Sequence, residues 1–499
     1  MFVLRFVGTA IRNIPMVQRF IDAHPRLWKF VSERFRRDKP LGLRLTFGLA
    51  CSFFFLFVFF GIVQDLIAND PLARADLRVL TLLQTYRAPA FDHVMLFITY
   101  LGNAQIVLAG AGLLSIYFAL TRRWLWLAAL VFSLAGEESV VWLTKALFAR
   151  VRPDLVNALV AATGPSFPSG HAFVAVAFYG LVAWFAFDLT RSYWKKFAIA
   201  VLAGFGIAAL GFSRVYLGVH WPSDVLASFA AGATWLSILV TALTVARARG
   251  VADAPQAVFR PGVLAGVLVV AWLSAVIEFY DTRPQLIRHE IMPVQIAVPE
   301  NDAPAAIFAK APRFSEDITG TPVEPINVIV IGTEGDLERV FADAHWVSAE
   351  SITLGSSWRL MLADLFDRPD QRAPGLPVFW NGLPNDRAFE RPTESHSARE
   401  RHHLHLWTTP FTKSGVRVWL GTVHLDKKAN LPGWIHIPIH EIDPAVDQER
   451  DALRRNLSTS PCVDKISETQ IVQPMKGRNE IQNPFFTDGH AIVVNLKCK

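Results

Sequence analysis

The sequence is poor in cysteine and in charge. Three cysteines in 499 residues cannot build a disulfide framework, and 18% charged residues against 52% hydrophobic ones is too apolar for an ordinary soluble protein. The first 40 residues lack the short apolar core and small-residue cleavage site of a signal peptide. Charge is also unevenly spread. Up to about residue 280 the chain is a series of long apolar runs with brief basic interruptions; beyond that point charge, proline and histidine rise to soluble-domain levels, so at least two domains are expected.

Seven runs are long enough to cross about 30 Å of hydrocarbon as helices. They lie near 43–64, 93–119, 125–148, 169–189, 197–213, 223–245 and 262–280. Arg122 and Arg123, then Arg191, Lys195 and Lys196, then Arg247 and Arg249 follow the second, fourth and sixth runs, and Arg34, Arg36, Arg37 and Lys39 precede the first. The positive-inside rule places these on the cytoplasmic side. The odd number of spans then puts 149–168, 214–222 and everything after 280 outside. The net charge of +6 is thereby explained by topology, and nucleic acid is not needed as a partner. Before the first span, apolar residues interleaved with arginines suggest an amphipathic helix on anionic lipid, with a solvated basic tail as the alternative. The first span is expected to serve as an uncleaved anchor.

Three stretches at the outer ends of these spans carry the chemistry: KALFARVRP at 145–153, PSFPSGHAF at 165–173 and SRVYLGVHWPSD at 213–224. Lys145, Arg152 and Arg214 bring three cations to a membrane boundary, where they need an anion. Lys145 and Arg152 are spaced two turns apart, which predicts one helical face before Pro153 ends the helix. Pro168 is expected to begin the next helix, with Ser169 and Gly170 leaving backbone N–H groups open at its positive end. Such donors suit phosphate oxygens. Asp224, one turn into a helix starting near Pro222, can reach back to one nitrogen of His220 and leave the other nucleophilic. His171 can donate a proton to a leaving oxygen. No carboxylate cluster is available there for a metal ion, and no cofactor is expected. Glu137 and Glu138 lie mid-span; Glu138 is placed two turns below Lys145 on its face, where it would orient the lysine or receive a proton, unless it merely faces a polar crevice.

These motifs resemble the three signatures of the type 2 phosphatidic acid phosphatase superfamily, over roughly residues 90–230. The resemblance implies a helical membrane core and metal-independent hydrolysis of phosphomonoesters or diphosphates. It implies that Lys145, Arg152, Ser169, Gly170 and Arg214 bind phosphate, with His171 as acid, His220 as nucleophile and Asp224 behind it. The superfamily's haloperoxidase branch uses the same cradle for vanadate, but its members are soluble.

Beyond a Pro-rich, charged connection, PINVIVIG at 325–332 predicts a buried strand, followed by a helix around 334–346 that Thr333 could cap. HHLHLW, VRVWLGTVHL, WIHIPIH and AIVVNL predict further strands, and helices are expected near 356–366 and 444–457. His403 and His405 share a strand face, as do His436 and His440, with His424 on a possible neighbour. A metal cluster is one reading, and sheet packing the favoured one, since cysteine ligands are lacking. RHHLHLW and IHEIDPAVDQERDAL resemble the LssY-type C-terminal domain, which supports the domain boundary without identifying a site. Cys462 and Cys498 are predicted to pair outside the membrane.

The fold class expected is therefore an all-α polytopic membrane domain of about seven transmembrane helices followed by a soluble α+β or α/β domain. The divisions expected are a basic amphipathic segment 1–42, the phosphatase domain 43–280, a linker 281–325 and the external domain 326–499. A multi-pass protein of a bacterial inner membrane, opening to the periplasmic side, would hydrolyse a lipid phosphate, with polyprenyl diphosphate first. Phosphatidic acid, phosphatidylglycerol phosphate and lipid A phosphates follow. The rival reading is a non-catalytic anchor displaying the C-terminal domain; an intact His171, His220 and Asp224 count against it.

Overall fold

The structure, a computed structural model, describes residues 15–36, 39, 41–153, 158–251, 261–283, 286–287, 295–300, 303–350, 353, 355–356, 358–359, 362, 377–393, 400–430, 439–478 and 484–498. Two short helices, α1 (Pro15–Ala23) and α2 (Pro25–Arg34), stand where one amphipathic helix was expected, each opened by a proline. The apolar residues Leu27, Phe30 and Val31 of α2 are exposed. Residues 1–14 lie outside the described residues.

Among the described residues, six helices are long and apolar enough to cross a membrane: α3 (Leu43–Ala68), α7 (Trp124–Phe148), α8 (Gly170–Leu189), α9 (Tyr193–Tyr216), α10 (Pro222–Ala248) and α11 (Pro261–Thr282). Between α3 and α7 come α4 (Pro71–Thr85), α5 (Pro89–Leu101) and α6 (Ala104–Leu120). The pair α5 and α6, bent by 49°, passes the same test only when taken together, as a broken span or a re-entrant loop. The break falls at Gly102-Asn103, where the Asn103 side chain caps α6 by accepting from the Gln105 N–H at 2.9 Å. Phenylalanines such as Phe53 and Phe57 of α3 point outward, as hydrocarbon as solvent permits. The interior is built instead from interlocked rings: Phe185 packs edge-on against Phe118 and Trp126, both at 4.8 Å between centroids.

Contacts divide the chain into two compact units: 1–68, 90–154 and 158–287 form the first, and 69–89, 155–157 and 288–499 the second. Helix α4 thus belongs to the second unit although it lies between two spans. Arg78 pairs with Glu316 at 2.6 Å and Thr81 donates to the Gly382 carbonyl at 2.8 Å.

The second unit is α+β. Its main sheet, nine-stranded among the described residues, runs β12 (Val463–Gln470), β15 (His490–Leu496), β4 (Val328–Ile331), β10 (Val416–Asn430), β9 (Arg401–Lys413), β8 (Arg387–Pro392), β5 (Val347–Ser348). The short strand β1 (Ile296–Val298) pairs β9, and β11 (Ile439–Ile442) pairs β10. A smaller sheet holds β2 (Phe314–Glu316), β3 (Pro322–Pro325), β6 (Phe379–Trp380) and β7 (Leu383–Pro384), and β13 (Met475–Arg478) pairs β14 (Pro484–Thr487). Ahead of β2 stands α12 (Ala303–Phe308). Helices α13 (Glu334–Asp343) and α14 (Val446–Leu457) cover one face, where Leu337, Phe341, Leu453 and Leu457 meet Val330, Leu404 and Val494. Thr333 caps α13 in a box with Asp336, as its sequence predicted. Of WIHIPIH only His440 and its neighbour Ile439 are described, on β11; His436 and most of the helix expected near 356–366 fall outside the described residues. Cys462 and Cys498 are disulfide-bonded, tying the end of β15 to the start of β12 and contributing about 2–4 kcal/mol by chain restriction.

Candidate active site

The three stretches converge at one end of the helical unit, by routes that differ from the expected ones. Lys145 lies in the last turn of α7, and the helix stops at Phe148. Ala149 then adopts a left-handed conformation (φ 44°), its N–H donating to the Lys145 carbonyl at 3.0 Å. Such a conformation costs an alanine roughly 1–2 kcal/mol. The turn redirects the chain, so Arg152 reaches the pocket from a loop and the single helical face expected for Lys145 and Arg152 is corrected.

Arg152 pins that loop. Its guanidinium donates to the carbonyls of Val219 (2.6 Å), Gly164 (2.9 Å) and Thr163 (3.2 Å), joining the ends of three segments. Burial weighs against its charge, and Asp224 favours it. Ser166 returns two bonds to the same stretch, N–H to the Arg150 carbonyl at 2.8 Å and Oγ to the Val151 carbonyl at 3.1 Å.

Ser169 is the N-cap of α8, accepting from the Ala172 N–H at 3.5 Å, and the first helical residue is Gly170. Pro168 therefore precedes the cap instead of opening the helix. The Ser169 N–H is committed to Ser228 Oγ at 2.7 Å, so it does not stand open as expected. Two residues on, His171 packs its ring against Gly102: a Cβ there would lie 2.9 Å from His171 Cδ2. The gap that breaks the second span is also the space the imidazole occupies. A π-helical segment at Ala175–Tyr179 follows, and Tyr179 donates to the Leu101 carbonyl at 2.6 Å, fixing α8 against the break.

His220 is buried between α9 and α10. Its Nδ1 lies 3.5 Å from Asp224 Oδ2, an ion-pair separation too long and poorly aligned for a hydrogen bond. Its Nε2 lies 3.2 Å from Arg152 Nη1. A guanidinium only donates, so Nε2 carries the lone pair and the proton sits on Nδ1, facing the carboxylate. Burial first, then the charges of Arg214, Arg152 and Lys145, push the His220 imidazolium well below the ordinary histidine range, against a hydrogen bond to the Ser166 backbone carbonyl. His220 is neutral at neutral pH.

Arg214 is buried in the last turn of α9, donating from Nη1 to Thr99 Oγ1 at 2.6 Å, while its Nε has no hydrogen-bond partner among the described residues. Asp224 is fully buried and its oxygens are divided: Oδ1 accepts from Arg150 at 2.6 Å and Oδ2 from the Trp221 N–H at 3.0 Å. Arg150 also donates to Ser223 Oγ at 2.8 Å and covers the Trp221 ring at 5.4 Å.

Of the expected residues, Lys145, Arg152, His171, Arg214 and His220 are electrostatic neighbours. Glu138 is exposed yet remains an electrostatic neighbour of Lys145, and Glu137 is the buried member of the pair. Sequence reasoning missed Arg150, Thr99 and Ser228. Arg150 was visible inside KALFARVRP, passed over for its neighbour Arg152. Thr99, 115 residues from its partner, left no signal.

Residues 126–248 match the family model of the PAP2 superfamily, and residues 308–491 that of the LssY C-terminus. The chain is 34% identical over 184 residues to phosphatidylglycerophosphatase B of Bacillus subtilis, covering 36% of this chain and 87% of the relative. It is 28% identical over 192 residues to an undecaprenyl-diphosphatase of Sulfolobus acidocaldarius, covering 37% and 85%. Among solved structures, the first transmembrane PAP2 type phosphatidylglycerolphosphate phosphatase from Bacillus subtilis aligns at 30% identity with a TM-score of 0.32, over 39% of this chain and 94% of that one.

Proposed function

Because this chain belongs to the PAP2 superfamily and carries an LssY C-terminal domain, we propose that it hydrolyses a polyprenyl diphosphate through a phosphohistidine on His220. The observation that carries the mechanism is the orientation of His220: neutral, with Nε2 turned to the Arg152 guanidinium and Nδ1 toward Asp224.

The Nε2 lone pair attacks phosphorus in line with the leaving oxygen. As the P–N bond forms the P–O bond breaks, and His171 gives its proton to the departing oxygen. Lys145, Arg152, Arg214 and the Gly170 N–H hold the equatorial oxygens. A water then attacks the phosphoryl group, His171 takes the water's proton, and the P–N electrons return to Nε2 as phosphate leaves. Asp224 stabilises the positive charge that develops on the ring, and Arg150 holds that carboxylate in place. Ser169 acts by capping α8.

Basic connections, which the positive-inside rule assigns to the cytoplasm, and a seventh span made by α5 and α6 support a reading with the catalytic loops and residues 283–499 on the periplasmic face of an inner membrane. A polyprenyl diphosphate displays its phosphates there after glycan transfer, and its chain stays in the bilayer. The undecaprenyl-diphosphatase relative supports this reading. Phosphatidylglycerol phosphate is the second reading, favoured by the 34% identity to a phosphatidylglycerophosphatase.

Phosphate release from undecaprenyl diphosphate, phosphatidylglycerol phosphate, phosphatidic acid and glycerophosphate decides between them. The diphosphate should be fastest and the soluble ester slowest, for want of a buried chain; faster release from phosphatidylglycerol phosphate would reverse the order of the two readings. Hydrolysis should survive chelation and be inhibited by vanadate; strict Mg²⁺ dependence would contradict the mechanism. Reporter fusions after Gly250 and after Arg283 should report opposite sides of the membrane.

A further inference from the structure

The second unit contains a group of ionisable side chains that phosphoryl transfer does not use. His403 and His405 stand on one face of β9, and the antiparallel register sets His424 opposite His403 and Thr422 opposite His405 on β10. The three imidazoles form a triangle, with ring centroids 6.0, 6.1 and 5.6 Å apart. Glu390 of β8 is paired with His403, Asp426 of β10 with Arg401, and Glu324 comes from β3. None of these side chains belongs to a residue more than 8% exposed.

Their connections share one pattern. His403 turns Nε2 to Asp426 Oδ2 at 3.0 Å and Nδ1 to Glu390 Oε1 at 3.5 Å. His424 turns Nε2 to Asp426 Oδ1 at 3.6 Å and Nδ1 to Glu324 Oε2 at 3.0 Å. Both rings thus present the same nitrogen to one shared carboxylate and the other nitrogen to a carboxylate of their own. A carboxylate behind an imidazole is what fixes the tautomer of a metal-binding histidine and leaves Nε2 for the ion. His405 completes the triangle, and its Nδ1 is buried without a hydrogen-bond partner among the described residues.

Charge and size agree with this. Glu324, Glu390 and Asp426 all stand buried beside the imidazoles, and Arg401 pairs with Glu390 at 2.6 Å. Carboxylates gathered around imidazoles in the interior favour a bound cation. Two ligands at about 2.0–2.1 Å from a tetrahedral ion stand roughly 3.3 Å apart, with ring centroids about 5.3 Å apart. The Asp426 separations of 3.0 and 3.6 Å bracket the first distance, and the rings stand less than about 1 Å wider than the second. No three such groups among the described residues already gather their donor atoms around an ion, so loading must draw the rings inward.

We propose that His403, His405, His424 and Asp426 form a binding site for a divalent transition metal of the zinc class, with Glu390 and Glu324 holding two of the imidazoles from behind. Imidazole and carboxylate donors without thiolate suit zinc and its neighbours better than calcium or magnesium.

The probe is Zn²⁺ alone. Full-length protein in detergent, stripped with a chelator, is titrated with Zn²⁺ by calorimetry. One equivalent should bind, with affinity retained in His171→Ala, lowered at least about a hundredfold in His424→Ala and about ten- to a hundredfold in Glu324→Gln. X-ray absorption on zinc-loaded wild-type protein decides the matter even if a variant does not fold, and should show imidazole scattering and no sulfur. Failure to bind one equivalent, unchanged affinity in His424→Ala, loss of binding in His171→Ala, or a shell of oxygen alone would each overturn the site.

Discussion

In the membrane unit His171 and His220 are neighbours of Lys145, Arg152 and Arg214, whereas in the second unit His403, His405 and His424 are surrounded by Glu324, Glu390 and Asp426. The imidazoles are the same; the fields around them are opposite. Three cations make a pocket suited to an anion and, with burial, keep His220 neutral, as the proposed attack on phosphorus requires. Three carboxylates make a pocket that favours a cation. A histidine's chemistry is thus decided by the charges packed around it, and each prediction below changes one of those charges or the ring itself.

The largest effect is expected for His220→Ala, which removes the nucleophile and leaves the cationic pocket. Phosphate release should fall at least about a thousandfold, some 4 kcal/mol of barrier. A loss of less than about tenfold would mean that the pocket alone does the work and would end the contrast between the units.

Arg150→Ala should come next. Arg150 acts through Asp224, so kcat should drop about ten- to a hundredfold with KM little changed. Arg150→Lys should restore part of the rate, because a point charge can still meet Asp224 Oδ1. A change in KM alone would place Arg150 in substrate binding instead.

Smaller again is a shift in pH dependence. Because His220 is held below the usual histidine range, kcat/KM should lose activity only as pH falls well below about 6.5, where the nucleophile takes up a proton. Arg214→Met removes a positive neighbour, so the pKa should rise and the acid limb should move to higher pH, by about one unit. An unmoved limb would show that burial alone keeps the ring neutral.

The smallest effect lies in the second unit, where Arg450 is buried and forks onto Asp488 at 2.7 and 3.1 Å. Despite the cost of desolvation, hydrogen bonds from Arg450 and His490 draw the Asp488 carboxyl down to about 2. Its folded value lies below its unfolded one, so the stabilisation is complete above about pH 4 and disappears as pH falls through about 2. Asp488 is partly exposed, and Asp488→Asn should lower the melting temperature at neutral pH by only about 1–3 °C. The gap from wild type should close on acidification.

Much of this was legible in the chain order. Apolar runs of about 20 residues cannot be hidden in a sequence, because hydrocarbon demands them at that length; the ends of the helices drifted by a few residues, and the second run proved to be two helices bent at Gly102-Asn103. In the second unit, VIVI and AIVVNL announced buried strands, whereas RAFERP and VDKISETQ, charged and without alternation, did not announce β8 and β12. The histidines of β9 were visible as a common face by their period of two.

By itself the sequence determined which side chains could do chemistry: three cations, two histidines and a carboxylate at the ends of spans, and histidines alternating on a strand. Tertiary structure decided which of them touch. Ala149 turns the chain so that Arg152 approaches from a loop, Ser228 takes the Ser169 amide, Arg150 rather than a more distant group holds Asp224, and Thr99 orients Arg214. It also buried Glu137 and turned Glu138 outward, and brought Glu324 from a second sheet to His424. Periodicity follows from the geometry of one helix or strand and can be read locally. A partner supplied from a hundred residues away depends on how whole elements pack, which no local pattern encodes.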